Sequence, residues 1–235
     1  MQMLVSTFVT GLSLGTEYAL ISIGFTLIFG ILGVVNFAHG GFFVLGGYLA
    51  FSFTHAVGLP YVVALLVAAV VTGVVGYVVE ILLVEKQAVD HLATMLITLG
   101  TYQVMTTGIT VVYGAEPVDF RFPVSGSFRF WGVGVPYTSL IVMAVCAVAI
   151  GAVYFLVFKT RYGIALRAMA DDGNVAKAQG IPPAKMFPLA FAIATGLAGL
   201  TGALVTPILA LEPHSGDAVL GKAFVIVILG GLGSV

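Results

Sequence analysis

Apolar runs of about 20 residues, parted by short polar stretches, repeat along the whole 235-residue chain. A helix of that length crosses the hydrocarbon layer of a bilayer. The runs predict membrane segments over residues 5–30, 36–56, 60–84, 93–113, 137–158, 188–210 and 219–235. The predicted fold class is therefore an all-α polytopic membrane protein of about seven segments, read as a single transmembrane domain over 1–235. The last run stops at Val235 with no polar flank, so the chain reads as C-terminally incomplete.

The interruptions carry more information than the runs. Between the first two, Gly30 to Gly41 contains Asn36, Phe37, His39, Gly40 and Gly41 but no charged residue, which predicts a broken helix inside the membrane rather than a surface loop. Residues 159–187 form the one long polar island. It holds Lys159, Arg161, Arg167, Lys177 and Lys185, five of the nine Lys and Arg residues of the chain. A basic loop between spans faces the cytoplasm. The loop 85–91 lies two spans away and falls on the same side, which places 113–136 outside, and the N-terminus too unless the 30–41 break hides a re-entrant turn. Within the island, Asp172 or Asn174 can cap a short helix, Gly180 can end it with Ile181 as the following apolar contact, and Pro182-Pro183 prevents continuation. Either a solvated connector or a docking element fits that composition. In the external segment, Asp119 to Pro123 and Phe128 to Trp131 alternate on either side of a Ser-Gly turn and predict a small β-hairpin. An interfacial lid and a partner contact both fit it. Small residues at i, i+4 (Ala194, Ala198 and Gly202; Ala192 and Gly196; Gly199 and Ala203) predict close helix approach along 188–210, and Thr206-Pro207 predicts a kink.

Composition then fixes the class. With 60% hydrophobic and 8% charged residues and a mean hydropathy of +1.15, the chain cannot be a soluble domain, which carries about a quarter charged residues. The net charge of −1 gives nucleic-acid binding no support. Cys146, the single cysteine, reads as a small core residue. The N-terminus lacks the basic region of a cleavable signal, and the first span is read as retained.

Ionisable residues inside spans are functional candidates. They are Glu17, His39 and Glu80. Glu80 reads as an end-of-helix acid near the interface, whereas Glu17 lies deeper and fits either a bond between helices or a watery path. No phosphate-binding loop, zinc pair or nucleophile elbow occurs, and Asp171-Asp172 lacks the second acidic cluster a metal site needs. No catalytic residue, metal or cofactor is therefore expected. A transporter remains, and a proton- or sodium-coupled secondary transporter is the alternative that a broken helix and a buried Glu17 would suit.

Four strings together carry a resemblance: Gly11 to Leu20, Gly33-Val-Val-Asn-Phe-Ala-His-Gly40, Arg161-Tyr-Gly-Ile-Ala-Leu-Arg-Ala168 with Asp172 and Ala176 to Ile181, and Lys222-Ala-Phe with Gly230-Gly-Leu-Gly-Ser234. In that order they resemble the permease subunits of branched-chain amino acid ABC transporters. The resemblance implies an importer in the bacterial or archaeal inner membrane in which this chain forms half the pore. A second permease subunit, two cytosolic ATPase subunits and an external solute-binding protein would complete it. It also makes 163–181 a coupling helix, with Arg161, Gly163, Arg167, Asp172, Ala176, Gly180 and Ile181 engaging the ATPase. Asn36, Phe37, His39, Gly40, Gly41 and Glu17 are the substrate-path candidates. The chain departs from the family at Gly41, where an acidic residue is common, at the inner loop Val84-Glu-Lys-Gln-Ala, and at Glu17. Relatives include urea and amide transporters.

Overall fold

A computed structural model describes residues 2–33, 35–87, 90–130 and 133–231. The chain folds into a helical bundle: α1 (Gln2–Leu32), α2 (His39–His55), α3 (Tyr61–Val79), α4 (His91–Tyr113), β1 (Ser127–Phe130), β2 (Val133–Pro136), α5 (Tyr137–Lys159), α6 (Arg161–Asp171), α7 (Gly173–Ala178), α8 (Pro183–Leu209) and α9 (Ser215–Gly230). Among the described residues, five stretches are long and apolar enough to cross a membrane: Met3–Gly30, Tyr61–Val84, His91–Tyr113, Tyr137–Lys159 and Pro183–Leu209. The other two predicted segments appear as the shorter helices α2 and α9, of 17 and 16 residues.

The helix ends follow local chemistry. Asp90 accepts hydrogen bonds from the N–H groups of Leu92 and Ala93 and so caps α4. Prolines precede or open α3, α5 and α8, where a missing N–H costs nothing. Pro188 and Pro207 lie inside α8, yet the helix runs on to Leu209, and Thr206 back-bonds to the Gly202 carbonyl at 2.8 Å.

At the centre stands α8, packed against α1, α2 and α3. The expected small-residue face is where this happens. A Cβ built on Gly202 would lie 1.8 Å from the Phe43 carbonyl oxygen, one on Gly46 2.1 Å from the Gly199 carbonyl oxygen, and one on Gly76 2.0 Å from Thr195 Oγ1. Ala194 and Ala198 are fully buried in the same seam. The outward faces of α4 and α5 are by contrast lined with exposed Leu, Val and Phe, as a lipid-facing surface requires.

One sequence expectation is corrected at the hairpin. The strands that pair are Ser127–Phe130 and Val133–Pro136, in antiparallel register from Ser127 opposite Pro136 to Phe130 opposite Val133, rather than 119–123 with 128–131. Trp131 lies outside the described residues. The segment before the hairpin is drawn elsewhere. Val118 bridges to Leu211, Phe120 is buried among Phe51, His55 and Tyr61, and Pro123 has no N–H for a ladder. Arg121 pairs with Asp119 at 3.0 Å on the exposed side, a contact worth little in water.

The seam on α8 has a direct consequence. Gly46→Ala should lower the detergent-solubilised melting temperature by about 6–12 °C, because overpacking of ~3 kcal/mol cannot be relieved by moving a backbone carbonyl. Gly100→Ala and Gly151→Ala, where a Cβ meets nothing within 4 Å, should leave it unchanged or raise it slightly.

Candidate functional site

Two stretches of non-helical backbone enter the bundle from opposite ends and meet. The first starts at Gly33, which takes φ +66° and lies beside His91 at the start of α4. It reaches Phe37, whose N–H donates to Thr98 Oγ1 at 3.2 Å. His91 and Thr98 are seven residues apart on α4, which is about 10 Å of rise. So α1 reaches one end of the bundle, and the chain returns to begin α2 in the interior. The expected break is thus a turn and an inward-running strand of backbone. Val34 and the side chain of Leu32 lie outside the described residues.

The second stretch leaves α8 beside Tyr48, whose hydroxyl donates to the Leu211 carbonyl at 3.5 Å, and delivers Gly216 onto Gly40. A Cβ on Gly40 would sit 2.6 Å from the Gly216 carbonyl oxygen, and one on Gly216 2.4 Å from that of Gly40. Tyr48 and Gly40 are eight residues apart, about 12 Å along α2. From this crossing α2 runs towards the hairpin end. α9 runs the other way, alongside α1, with Lys222 at Tyr18 and Phe224 at Phe25.

Asn36, His39, Gly40 and Gly41 are all buried at this junction, and Phe37 is half-buried. Asn36 Oδ1 accepts from the Ala38 N–H at 3.0 Å, an Asx turn that shapes the entry to α2. His39 Nε2 lies 3.1 Å from the Ile21 carbonyl, so Nε2 carries the proton, and the Phe25 ring packs edge-on at 5.8 Å. The two side chains do not bond each other; each is tied to backbone. Asn36 Nδ2 and His39 Nδ1 find no partner among the described residues, which leaves one donor and one acceptor at the junction. Gly41 packs on Tyr102 and Met105, where an added Cβ would lie 3.1 Å from the Tyr102 ring and 3.3 Å from Met105 Sδ. Glu17 lies one turn before Ile21 on α1, buried, with Ser13 of its own helix donating at 3.1 Å.

Glu80 corrects a second expectation. It is fully buried, and neither carboxylate oxygen has a partner among the described residues. The span runs on past α3 to Val84, as the 60–84 run predicted, through a π-helical turn, Glu80–Val84, packed on α4 and α8. That turn keeps the acid inside.

The polar island folds as two short helices, with Asp172 between them. Its carboxylate accepts from the N–H groups of Asn174 and Val175 at 2.9 and 3.0 Å. Gly180 adopts φ +85°, and the Ile181 N–H closes back on the Ala176 carbonyl at 3.1 Å, the end anticipated from the sequence. Gly163 allows α6 to fold sharply off α5, for a Cβ there would lie 2.2 Å from the carbonyl oxygens of Leu156 and Val157. Tyr162 donates to the Met186 carbonyl at 3.1 Å, tying α6 to α8, and burial pushes its phenol upward so that it stays a donor. Gly163, Asp172, Ala176, Gly180 and Ile181 therefore build this element. Arg161 and Arg167 are exposed on it, with Arg167 stacked over Phe158 at 5.0 Å. Ile164 and Val175, 57% and 56% exposed, are apolar residues on its open side that the sequence reading did not single out.

It also missed a polar set beside the junction. Lys222 Nζ donates to Tyr18 OH at 2.7 Å and lies 5.1 Å from that ring, while the Tyr102 hydroxyl donates to Asp217 Oδ1. The available signal was a lysine and an aspartate inside the otherwise apolar 215–230 run.

A family described as branched-chain amino acid transport system / permease component matches residues 7–235. The high-affinity branched-chain amino acid transport system permease protein BraD of Pseudomonas aeruginosa is 28% identical over 97% of this chain and 79% of its own length. The protein LivH of Escherichia coli K12, named likewise, is 28% identical over 96% and 78%. The corresponding protein LivM of Salmonella typhimurium is 24% identical over 92% and 57%. No solved structure matches the chain.

Asp172→Ala should cost about 0.5–2 kcal/mol, confined to α7. Amide hydrogen exchange at 174–178 should speed several-fold while the global melting temperature stays put, and Asp172→Asn should restore most of the protection.

Proposed function

The chain belongs to the family of branched-chain amino acid transport permease components, and we propose that it is the membrane-spanning permease subunit of an ABC importer for branched-chain or related small amino acids. ATP hydrolysis is assigned to separate subunits. The observation that carries this reading is the family match across 7–235, joined to a bundle that offers a short capped helix pair at one end. Similarity to both LivH and LivM supports pairing with a second, related permease subunit. Two cytosolic ATPase subunits and an external solute-binding protein complete the assembly in the inner membrane, with α2 and α9 as sixth and seventh membrane segments. The α6–α7 end is assigned to the cytoplasm and the hairpin end to the outside, as the basic residues of 159–187 favour.

In the mechanism, the ATPase grips α6–α7 through their open edge, which includes Arg161, Ile164, Arg167, Val175 and Lys177. The sharp turn at Gly163 and the Tyr162 tie pass that movement to α5 and α8. The backbone junction of Asn36, Phe37, His39, Gly40 and Gly41, with Glu17 one turn along α1, lies on the substrate path. Movement of α8 against α2 then alters access to it. An external binding protein supplies selectivity, so the path itself needs only modest affinity.

Replacing Gly163 would test folding rather than coupling, since its Cβ has no space. Val175→Asp and Lys177→Glu change exposed side chains and are the cleaner probes. In proteoliposomes, ATP hydrolysis stimulated by loaded binding protein should fall about tenfold or more for Val175→Asp, as for an interface anchor, with the complex still co-purifying. Unchanged stimulation in an intact complex would remove α6–α7 as the coupling element. Phe37→Ala should shift relative uptake among leucine, valine and smaller amides by about 3–10-fold with ATPase stimulation retained. If every substrate falls in parallel, or none does, the junction is structural only.

A further inference from the structure

A groove of about 470 Å³ opens between α1 and α9, next to the junction, lined by Tyr18, Asp217, Gly221, Lys222, Val225 and Ile226 among others. Its volume is that of a small-ligand site. Its composition is unusual for the flank of a membrane bundle: an exposed carboxylate, an exposed ammonium and a phenol, set against aliphatic side chains. A bare charge among apolar helices costs at least ~2.5–3.5 kcal/mol, so two opposite charges sharing one groove call for a reason.

They do not neutralise each other. Lys222 Nζ spends one of its three donors on Tyr18 OH at 2.7 Å, with the ring centroid 5.1 Å away, and this bond holds the ammonium in place. Asp217 is held from the other side. Its Oδ1 accepts from Tyr102, which packs on Gly41, while Oδ2 lies 3.8 Å from His214 Nδ1, and the side chain remains 61% exposed. Lys222 follows Asp217 by five residues, about 7.5 Å along the helix. That spacing also turns the helix by about 140°, so the two groups leave α9 on different sides, Asp217 towards Tyr102 and Lys222 towards Tyr18, and both line the groove. The result is a fixed cation with two free donors, a fixed anion with free lone pairs, and an apolar wall of Val225 and Ile226 beside them.

We propose that this groove binds a zwitterionic aliphatic amino acid, Lys222 taking its carboxylate, Asp217 its ammonium group, and Val225 and Ile226 its side chain. The assignment rests on the permease reading above and adds a residue-level site to it. Asp217 follows Gly216 in the chain, so the groove begins beside the Gly40–Gly216 crossing, and Tyr102, which packs on Gly41, donates to Asp217.

The test is charge rescue in the complete reconstituted transporter, in a Cys146→Ala background. Lys222→Cys should reduce ATP-dependent leucine uptake about tenfold or more, as loss of one partner of a charge pair does. Reaction with aminoethyl methanethiosulfonate, which rebuilds an ammonium of nearly lysine length, should restore at least half of it, and the neutral propyl reagent should not. Equal rescue by both reagents, or normal uptake by the cysteine variant, overturns the proposal. If that variant fails to co-purify with its partners, Asp217→Asn decides, because it can still accept from Tyr102 while losing its charge; wild-type uptake there overturns the proposal as well. Tyr18→Phe separates ligand binding from helix packing: uptake should stay within about threefold, and a tenfold loss assigns Lys222 to the α1–α9 contact instead. Absence of ATP-dependent uptake in the unsubstituted complex would defeat the permease reading itself, a different failure.

Discussion

Everything in this bundle depends on how closely α2 and α3 can approach α8. Lipid tails are as apolar as leucine, so helices in a bilayer gain little by burying apolar side chains against each other and associate instead through close packing and hydrogen bonds. At Gly46, Gly76, Gly199 and Gly202 the approach is so close that a single added carbon would fall within bonding or near-bonding distance of a neighbour. Dispersion contacts at that range, multiplied along the seam, replace the hydrophobic effect as the cohesive term. They also make the contact stiff where backbone meets backbone, as at Gly46 and Gly202, because no side-chain rotamer there can absorb displacement.

That stiffness gives the two inward-running backbone stretches their setting. Non-helical backbone away from water survives only where protein satisfies it. Here Thr98 receives the Phe37 N–H, Asn36 closes a turn onto Ala38, and His39 reaches the Ile21 carbonyl. The helices that grow from the junction, α2 and α9, leave in opposite directions from one glycine–glycine contact. A shift of α8 therefore moves α2 against α9 at the level where the polar groups are gathered. The same α8 begins just after α6 and α7, and Tyr162 fastens α6 to its first turns. In the proposed mechanism, a push applied to the short helices is delivered to the junction through these rigid parts.

Most of this was legible as periodicity and punctuation. Twenty-residue apolar runs give spans because the bilayer sets their length, and the Asp172, Gly180 and Ile181 pattern gave the end of α7 because capping is local chemistry. What remained hidden was non-local. The pairing of Ser127–Phe130 with Val133–Pro136 depends on Phe120 being claimed by Phe51, His55 and Tyr61, which lie far away in the chain. Burial of Glu80 depends on a π-helical turn whose packing partners are α4 and α8. Asn36 and His39 were recognised as the polar residues of the break, but that the chain turns at Gly33 and climbs beside α4 follows only from Thr98. Lys222 and Asp217 were missed although they are charges in an apolar run, because their common groove exists only where α9 starts in mid-bundle and lies along α1.

The account makes the chain a conduit with no energy source of its own, moved by partners that hydrolyse ATP. Leucine uptake by proteoliposomes containing the chain, its second permease, the ATPase subunits and the binding protein tests this most directly, measured with and without internal ATP and with a protonophore plus a sodium ionophore. Uptake should require ATP and survive collapse of both ion gradients. Uptake that proceeds without ATP and stops when the gradients are collapsed would contradict the account and identify an ion-coupled carrier.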